Sequence, residues 1–171
     1  MIPRPGARAM PFTGPVPAPP AGRGWAKLMQ LALEQARAGE AQGEVPVGAV
    51  LAARDGSLLA SAHNACLGLN DPTAHAEILA LRQAAQRIGN YRLSGSVLVV
   101  SLEPCLMCAG ALIHARVDGV VYGASDPLAG AVSSCLEALD LPFHNHAIWH
   151  MGGVAGEECA ALLRNFFLQR R

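Results

Sequence analysis

A chain of 171 residues with thirteen basic and thirteen acidic side chains has no formal net charge at neutral pH, and 51% of its residues are apolar. That size and apolar share suit one domain with one core, and exclude an acidic, disordered solvating chain. No run of eighteen apolar residues could cross a membrane, and the neutral balance gives no broad basic footprint for nucleic acid, although twelve of the thirteen cations are arginines that can gather locally.

Residues 1–24 hold seven of the twelve prolines, four glycines, three arginines and no acid. Such a segment reads as a disordered, Pro/Gly-rich extension, with the folded domain expected over residues 25–171. Lacking an apolar h-region, it is no secretory signal. Its arginines also fit an organellar transit peptide, but the prolines oppose the amphipathic helix that one needs, and Met10 is an alternative start.

From Trp25 helices and strands alternate. Leu28, Leu31, Leu33 and Ala36 recur with helical spacing up to Gly39. The segments 45–53 and 57–62, joined at Asp55-Gly56, read as a β-hairpin. Asp71-Pro72 reads as N-cap and first helical position, placing His75 and Glu77 in the first turns of a helix that closes before Gly89-Asn90. Residues 96–101 form a continuous apolar run, the mark of a strand covered on both faces. A helix beginning near Cys105 follows, then strands near 119–122 and 147–150, and a last helix over 157–168. This alternation predicts an α/β fold, a three-layer α/β/α sandwich on a mixed five-stranded sheet. Ligand-bearing turns then gather at the carboxyl ends of strands.

His75-Ala76-Glu77 and Pro104-Cys105-Leu106-Met107-Cys108 carry the chemistry. Zn²⁺ takes four tetrahedral ligands; His75, Cys105 and Cys108 fill three and leave one position for water, the pattern of a catalytic site. Cys105 and Cys108 at i, i+3 share the start of a helix, where free N–H groups and the positive dipole end favour thiolates. Glu77 lies about 200° round a helix from His75, which suits a proton shuttle beside the metal better than a further ligand. The alternative is a closed structural knuckle, but Cys66, Cys135 and Cys159 have no Cys or His at metal spacing beside them. An odd cysteine count with two assigned to zinc also points to a reducing compartment, the cytoplasm. The pattern H-x-E with P-C-x-x-C is a known signature of zinc-dependent nucleobase deaminases.

The resemblance extends further. Glu44-Val-Pro-Val-Gly-Ala-Val50, Asp71-Pro-Thr-Ala-His-Ala-Glu77, Leu102-Glu-Pro-Cys-Leu-Met-Cys-Ala-Gly-Ala111, Ile113-His-Ala-Arg116 and Val120-Val-Tyr-Gly-Ala124 resemble bacterial tRNA-specific adenosine deaminases, of the cytidine deaminase-like superfamily. The likeness covers about six-sevenths of the chain and implies hydrolysis of adenosine to inosine at wobble position 34 of tRNA. It implies one zinc ion per chain, a tRNA anticodon arm as partner and a homodimer. It sets Asn64 against the target nucleoside and Asp126 near the nucleic-acid backbone, and counts Ala76 among the substrate-binding residues. Phe167 and Arg170, with Phe166, Arg164 and Arg171, offer a stacking surface and cations, one of the two phenylalanines being expected in the core. Glu103 reads as a cap for the cysteine helix. His63, His114, His144, His146 and His150 are left out of the metal shell.

Departures fall on the rim. Ser125, Pro127 and Leu128 stand where the family often carries Arg and Lys, and Asn70 where a His is common. A guanine or pyrimidine nucleoside deaminase would share every zinc residue, and a silent zinc-stabilised RNA-binding module would share all but a use for Glu77.

Overall fold

The computed structural model describes residues 14–170. Five strands form one mixed sheet in the order β2-β1-β3-β4-β5. Strand β1 (Gly48–Ala53) runs antiparallel to both β2 (Leu58–His63) and β3 (Ser96–Leu102), while β3, β4 (Gly119–Ala124) and β5 (Trp149–Met151) are parallel.

Alternation along the strands divides the core. Ala49, Leu51, Leu98, Val100, Val120 and Tyr122 face α3 (Ala76–Ile88) and α4 (Leu106–Ala115). Val50, Ala52, Val97, Val99 and Val121 face α1 (Trp25–Ala41) and α5 (Gly156–Leu168). Because successive side chains point to opposite sides, a strand buried on both is chiefly apolar: β4 has Val120, Val121 and Tyr122, and β3 has Val97 to Val100 between buried Ser96 and Ser101, whose hydroxyls are hydrogen-bonded. The expected three-layer sandwich is thus the observed one.

The hairpin turns at Asp55-Gly56 as expected. Gly56 has φ +84°, and a β-bulge follows where Ala52 pairs with Leu58. The segment preceding α1 packs against this turn: Pro20 is buried, the Ala21 N–H donates to Arg54 O at 3.1 Å, and Arg23 Nε donates to Gly56 O at 2.6 Å. Of residues 1–24, expected to be disordered, residues 1–13 lie outside the described residues, and residues 14–24 form no helix or strand but are held at Pro20, Ala21 and Arg23 by these contacts.

One helix start differs from expectation: His75, not Asp71, is the N-cap of α3. The helix expected to begin near Cys105 does so, with Cys105 as the N-cap of α4. Asp71 instead makes a tight turn of its own, its Oδ1 accepting the Thr73 N–H at 2.8 Å and the Thr73 hydroxyl at 2.7 Å. The short helix α2 (Cys66–Leu69) ahead of it ends on Asn70 in the left-handed region, φ 49°. A 3₁₀ turn over Ala138–Asp140 also had no sequence signal.

Strand directions decide where the site lies. The carboxyl ends of β3 and β4, the end of β2 and the start of β1 all reach the same edge of the sheet. The hairpin turn and the Pro20–Arg23 contacts lie at the opposite edge. No helix among the described residues is long and apolar enough to cross a membrane.

Candidate active site

At that edge the N-termini of α3 and α4 converge. His75 Nδ1 lies 3.7 Å from Cys105 Sγ and 3.7 Å from Cys108 Sγ, and the three donor atoms all fall within 4.8 Å of one another. Tetrahedral zinc, with Zn–N near 2.0 Å and Zn–S near 2.3 Å, needs N···S separations of about 3.5 Å. The donor set therefore fits zinc, with Nδ1 as the imidazole ligand.

Electrostatics suit a cation there. The Cys108 thiol donates toward Cys105 and, with His75 adding to it against the effect of burial, holds the Cys105 thiol down to about 4. The same bond, reinforced by burial, pushes Cys108 far up. Metal binding needs both sulfurs deprotonated, so a divalent cation would take the place of the proton on Cys108. His75 is raised by its bond to Cys105, burial opposing and Glu77 adding.

Glu77, only 3% exposed, sits in the first turn of α3 and is not among the three converging donors. Burial raises its pKa above the usual carboxylate range, its own backbone N–H and His75 offsetting part of that. Such a group holds a proton more readily than a surface carboxylate and returns it readily.

A cavity of about 350 Å³ opens over these groups, lined by His75, Glu77 and Cys105 together with Asn64, Asp126 and Ala129. Asn64 Oδ1 accepts the Ala76 N–H at 2.9 Å, so Asn64 caps α3 while lining the cavity. Ala76 is fully buried with its N–H occupied in that bond, and its side chain is not in the cavity wall. Asp126 is in the wall, although its Oδ1 accepts the N–H groups of Leu128 and Ala129 at 2.9 and 3.2 Å.

The C-terminal candidates are set apart. Phe166 is buried, as one of the pair should be, and Phe167 is 51% exposed in an adjoining groove with Leu128 and Arg164. Arg170 stacks its guanidinium 3.7 Å from the Phe166 ring centroid and donates to Gly43 O at 3.2 Å. It does not line the cavity. Arg171 lies outside the described residues. Of the excluded histidines, His63 bonds Asn64 O, His144 Ala138 O, His146 Val117 O and His150 Asp140.

Two buried acids acquire roles that sequence reading missed. Glu44, 3% exposed, accepts the N–H groups of Leu67 and Gly68 at 3.2 and 2.8 Å, pinning α2 at the cavity mouth. Glu103 does not cap α4. Its carboxylate accepts four backbone N–H groups of the 126–134 loop and the Ser134 hydroxyl. Burial opposes its charge, yet Ser134, Ser133 and Asp126 as donors hold its carboxyl down to about 2.

Residues 25–124 match the family model of the cytidine and deoxycytidylate deaminase zinc-binding region. The fold and the centre are accordingly those of a zinc-dependent deaminase. The tRNA-specific adenosine deaminase of Haemophilus influenzae is 48% identical over 85% of this chain and 84% of its own, and that of Agrobacterium fabrum 46% identical over 84% and 94%. On these grounds the chain belongs to the tRNA-specific adenosine deaminase family. A solved structure from a study of A-to-I editing by tRNA:A34 deaminases at the wobble position superposes with a TM-score of 0.77 at 45% identity, covering 80% of this chain and 98% of that one. A guanine deaminase from Nitrosomonas europaea is also similar, at 29% identity and TM-score 0.69 over 88% of this chain and 86% of its own.

Proposed function

We propose that this protein hydrolyses adenosine to inosine at the wobble position of a tRNA anticodon, releasing ammonia. The observation that carries the reading is the open three-donor set of His75, Cys105 and Cys108 with buried Glu77 beside it, in a chain 48% identical to a tRNA-specific adenosine deaminase. His75, Cys105 and Cys108 would hold zinc, which would supply Lewis acidity able to bring the pKa of a water to about 7.

Glu77 moves the protons. Its carboxylate takes one from the attacking water, passes it to purine N1 as the C6–O bond forms, and helps protonate the departing amine. Water adds one oxygen to C6, and the exocyclic nitrogen leaves as ammonia. The target base has to leave its stack to reach the cavity, which costs little in an anticodon loop whose bases are already unpaired. Asn64 and Asp126 are the wall groups offered to the nucleotide, and Phe167 offers a flanking base a stacking face.

The enzyme works in the cytoplasm as a homodimer in this reading. Beyond the two zinc ligands, Cys66, Cys135 and Cys159 are in no disulfide, which supports a reducing compartment. Exposed Tyr91, Met107 and Phe143 on the outer side of α3 and α4 supply an apolar face for a second copy.

Inosine analysis of a purified tRNA pool incubated with the zinc-loaded protein tests the assignment. Inosine should appear at position 34 of a tRNA with A there. A pool left unmodified, while guanine or free adenosine is turned over, would overturn it.

A further inference from the structure

A second carboxylate borders the centre, and the chemistry proposed above gives it no part. Glu103 is 2% exposed and stands between β3 and the metal ligand Cys105. Its Oε1 accepts three consecutive N–H groups, those of Val132, Ser133 and Ser134, at 3.1, 2.8 and 2.9 Å. Its Oε2 accepts the Asp126 N–H at 3.0 Å and the Ser134 hydroxyl. One side chain thus holds both ends of a loop that has no helix and no strand of its own over residues 125–134.

We propose that Glu103 is a positioning residue for the nucleotide substrate, setting the 125–134 loop so that Asp126 and Ala129 form one wall of the catalytic cavity. This rests on the reading that the substrate is an RNA anticodon. Three features carry it beyond ordinary loop anchoring. The N–H groups of successive residues converge on one anionic oxygen, an arrangement that fixes backbone direction as well as place. Glu103 is two residues from Cys105, and the Ala131 N–H also donates to Pro104 O at 2.8 Å, so the wall is tied to the segment that carries a metal ligand. Gly130 leaves room for the carboxylate: a Cβ there would lie 2.5 Å from Glu103 Cδ. The far side of the same loop bears Leu128, 91% exposed beside Phe167, so one anchored segment shapes both the cavity wall and the adjoining groove.

The test is Glu103→Gln in the zinc-loaded full-length chain. The amide turns two N–H donors toward donors while keeping the side chain's shape, and an unsatisfied buried donor loosens its surroundings. One zinc per chain should remain. The amides of Asp126, Val132, Ser133 and Ser134 should exchange at least about tenfold faster while those of Leu98 to Val100 keep their protection. KM for an anticodon stem-loop should rise at least about tenfold with kcat within about threefold, the signature of lost ground-state positioning. Unchanged exchange at the four amides, unchanged KM despite faster exchange, or loss of zinc each overturns the assignment. Should that variant fail to fold, Gly130→Ala displaces the loop from the opposite side and should give the same KM and exchange pattern; a parent-like KM and parent-like exchange there overturn it. A parent protein inert on the stem-loop rejects the RNA reading instead, and the four amides of Glu103→Gln then decide whether Glu103 holds the wall.

Discussion

Asn64 Oδ1 accepts the Ala76 N–H at 2.9 Å, joining the residue after β2 to the first turn of the helix that carries His75 and Glu77. One side chain therefore faces the cavity and caps α3. Asn64→Ala should cost about 1 kcal/mol of stability through the lost cap, lowering Tm by roughly 2–4 °C in a domain of this size. It should also reduce deamination while zinc stays bound. Unchanged thermal unfolding would show that the cap contributes nothing.

Glu77→Ala should keep zinc, since the metal is assigned to His75, Cys105 and Cys108. Its kcat should fall by about 10² to 10⁴, the range of a lost general acid-base. Cys105→Ser or Cys108→Ser should lose metal and activity together. Elemental analysis beside single-turnover rates separates the two classes, and zinc loss in the Glu77 variant would make that residue a ligand.

Asp71 gives a pH test away from the metal. Its pKa is lowered from 3.8 by the Thr73 hydroxyl and N–H, with Arg82 adding to them. A carboxylate depressed on folding stabilises the protein above its unfolded pKa and loses that stabilisation as pH falls through the folded value. The parent should thus exceed Asp71→Asn in Tm near pH 7, and the gap should close as pH drops below about 3.8. A gap that persists in acid would assign the effect to shape and not to charge.

The segment before α1 divides at Pro20. Removing residues 2–13 should leave Tm and activity unchanged, because that stretch is Pro-rich and carries only Ile2, Met10 and Phe12 as large apolar side chains. Removing residues 2–24 also deletes buried Pro20 and the bonds to Arg54 and Gly56, and should lower Tm without touching zinc content. Equal melting of the two truncations would mean that those contacts add nothing.

Local signals were legible in the chain and distant ones were not. The metal centre was readable because its donors come in two short motifs whose spacing is itself the chemistry. Strand β3 was readable because burial on both faces demands a chiefly apolar run. Asp71 misled because an Asp before Pro suits an N-cap and an Asx turn alike, and the helix began four residues later at His75. Glu44 and Glu103 were opaque for a different reason. Their partners are backbone N–H groups 23 to 31 residues away, which leave no side-chain pattern to recognise. Helix phase alone did not decide which of Phe166 and Phe167 is buried; the packing of α5 does.

The substrate is the remaining step, and Arg170 changes how it is tested. The arginine stacks on Phe166 and bonds Gly43 O, so it braces the C-terminal helix as well as offering charge. Arg170→Ala should lower stability by about 0.5–1 kcal/mol from the lost cation–π contact. It should also weaken binding of an anticodon arm. Binding by the parent should fall steeply with salt, since phosphate contacts to a single strand release counterions with a slope of about −0.7 per contact. The Arg170 variant should show a shallower slope if its guanidinium reaches a phosphate, and a parallel line displaced to weaker binding if it acts only through α5. Turnover of guanine, cytidine or free adenosine should be negligible. Efficient turnover of any of them without salt dependence, with the anticodon arm left unmodified, would replace the RNA assignment by a small-substrate deaminase and leave the zinc donors and Glu77 in place.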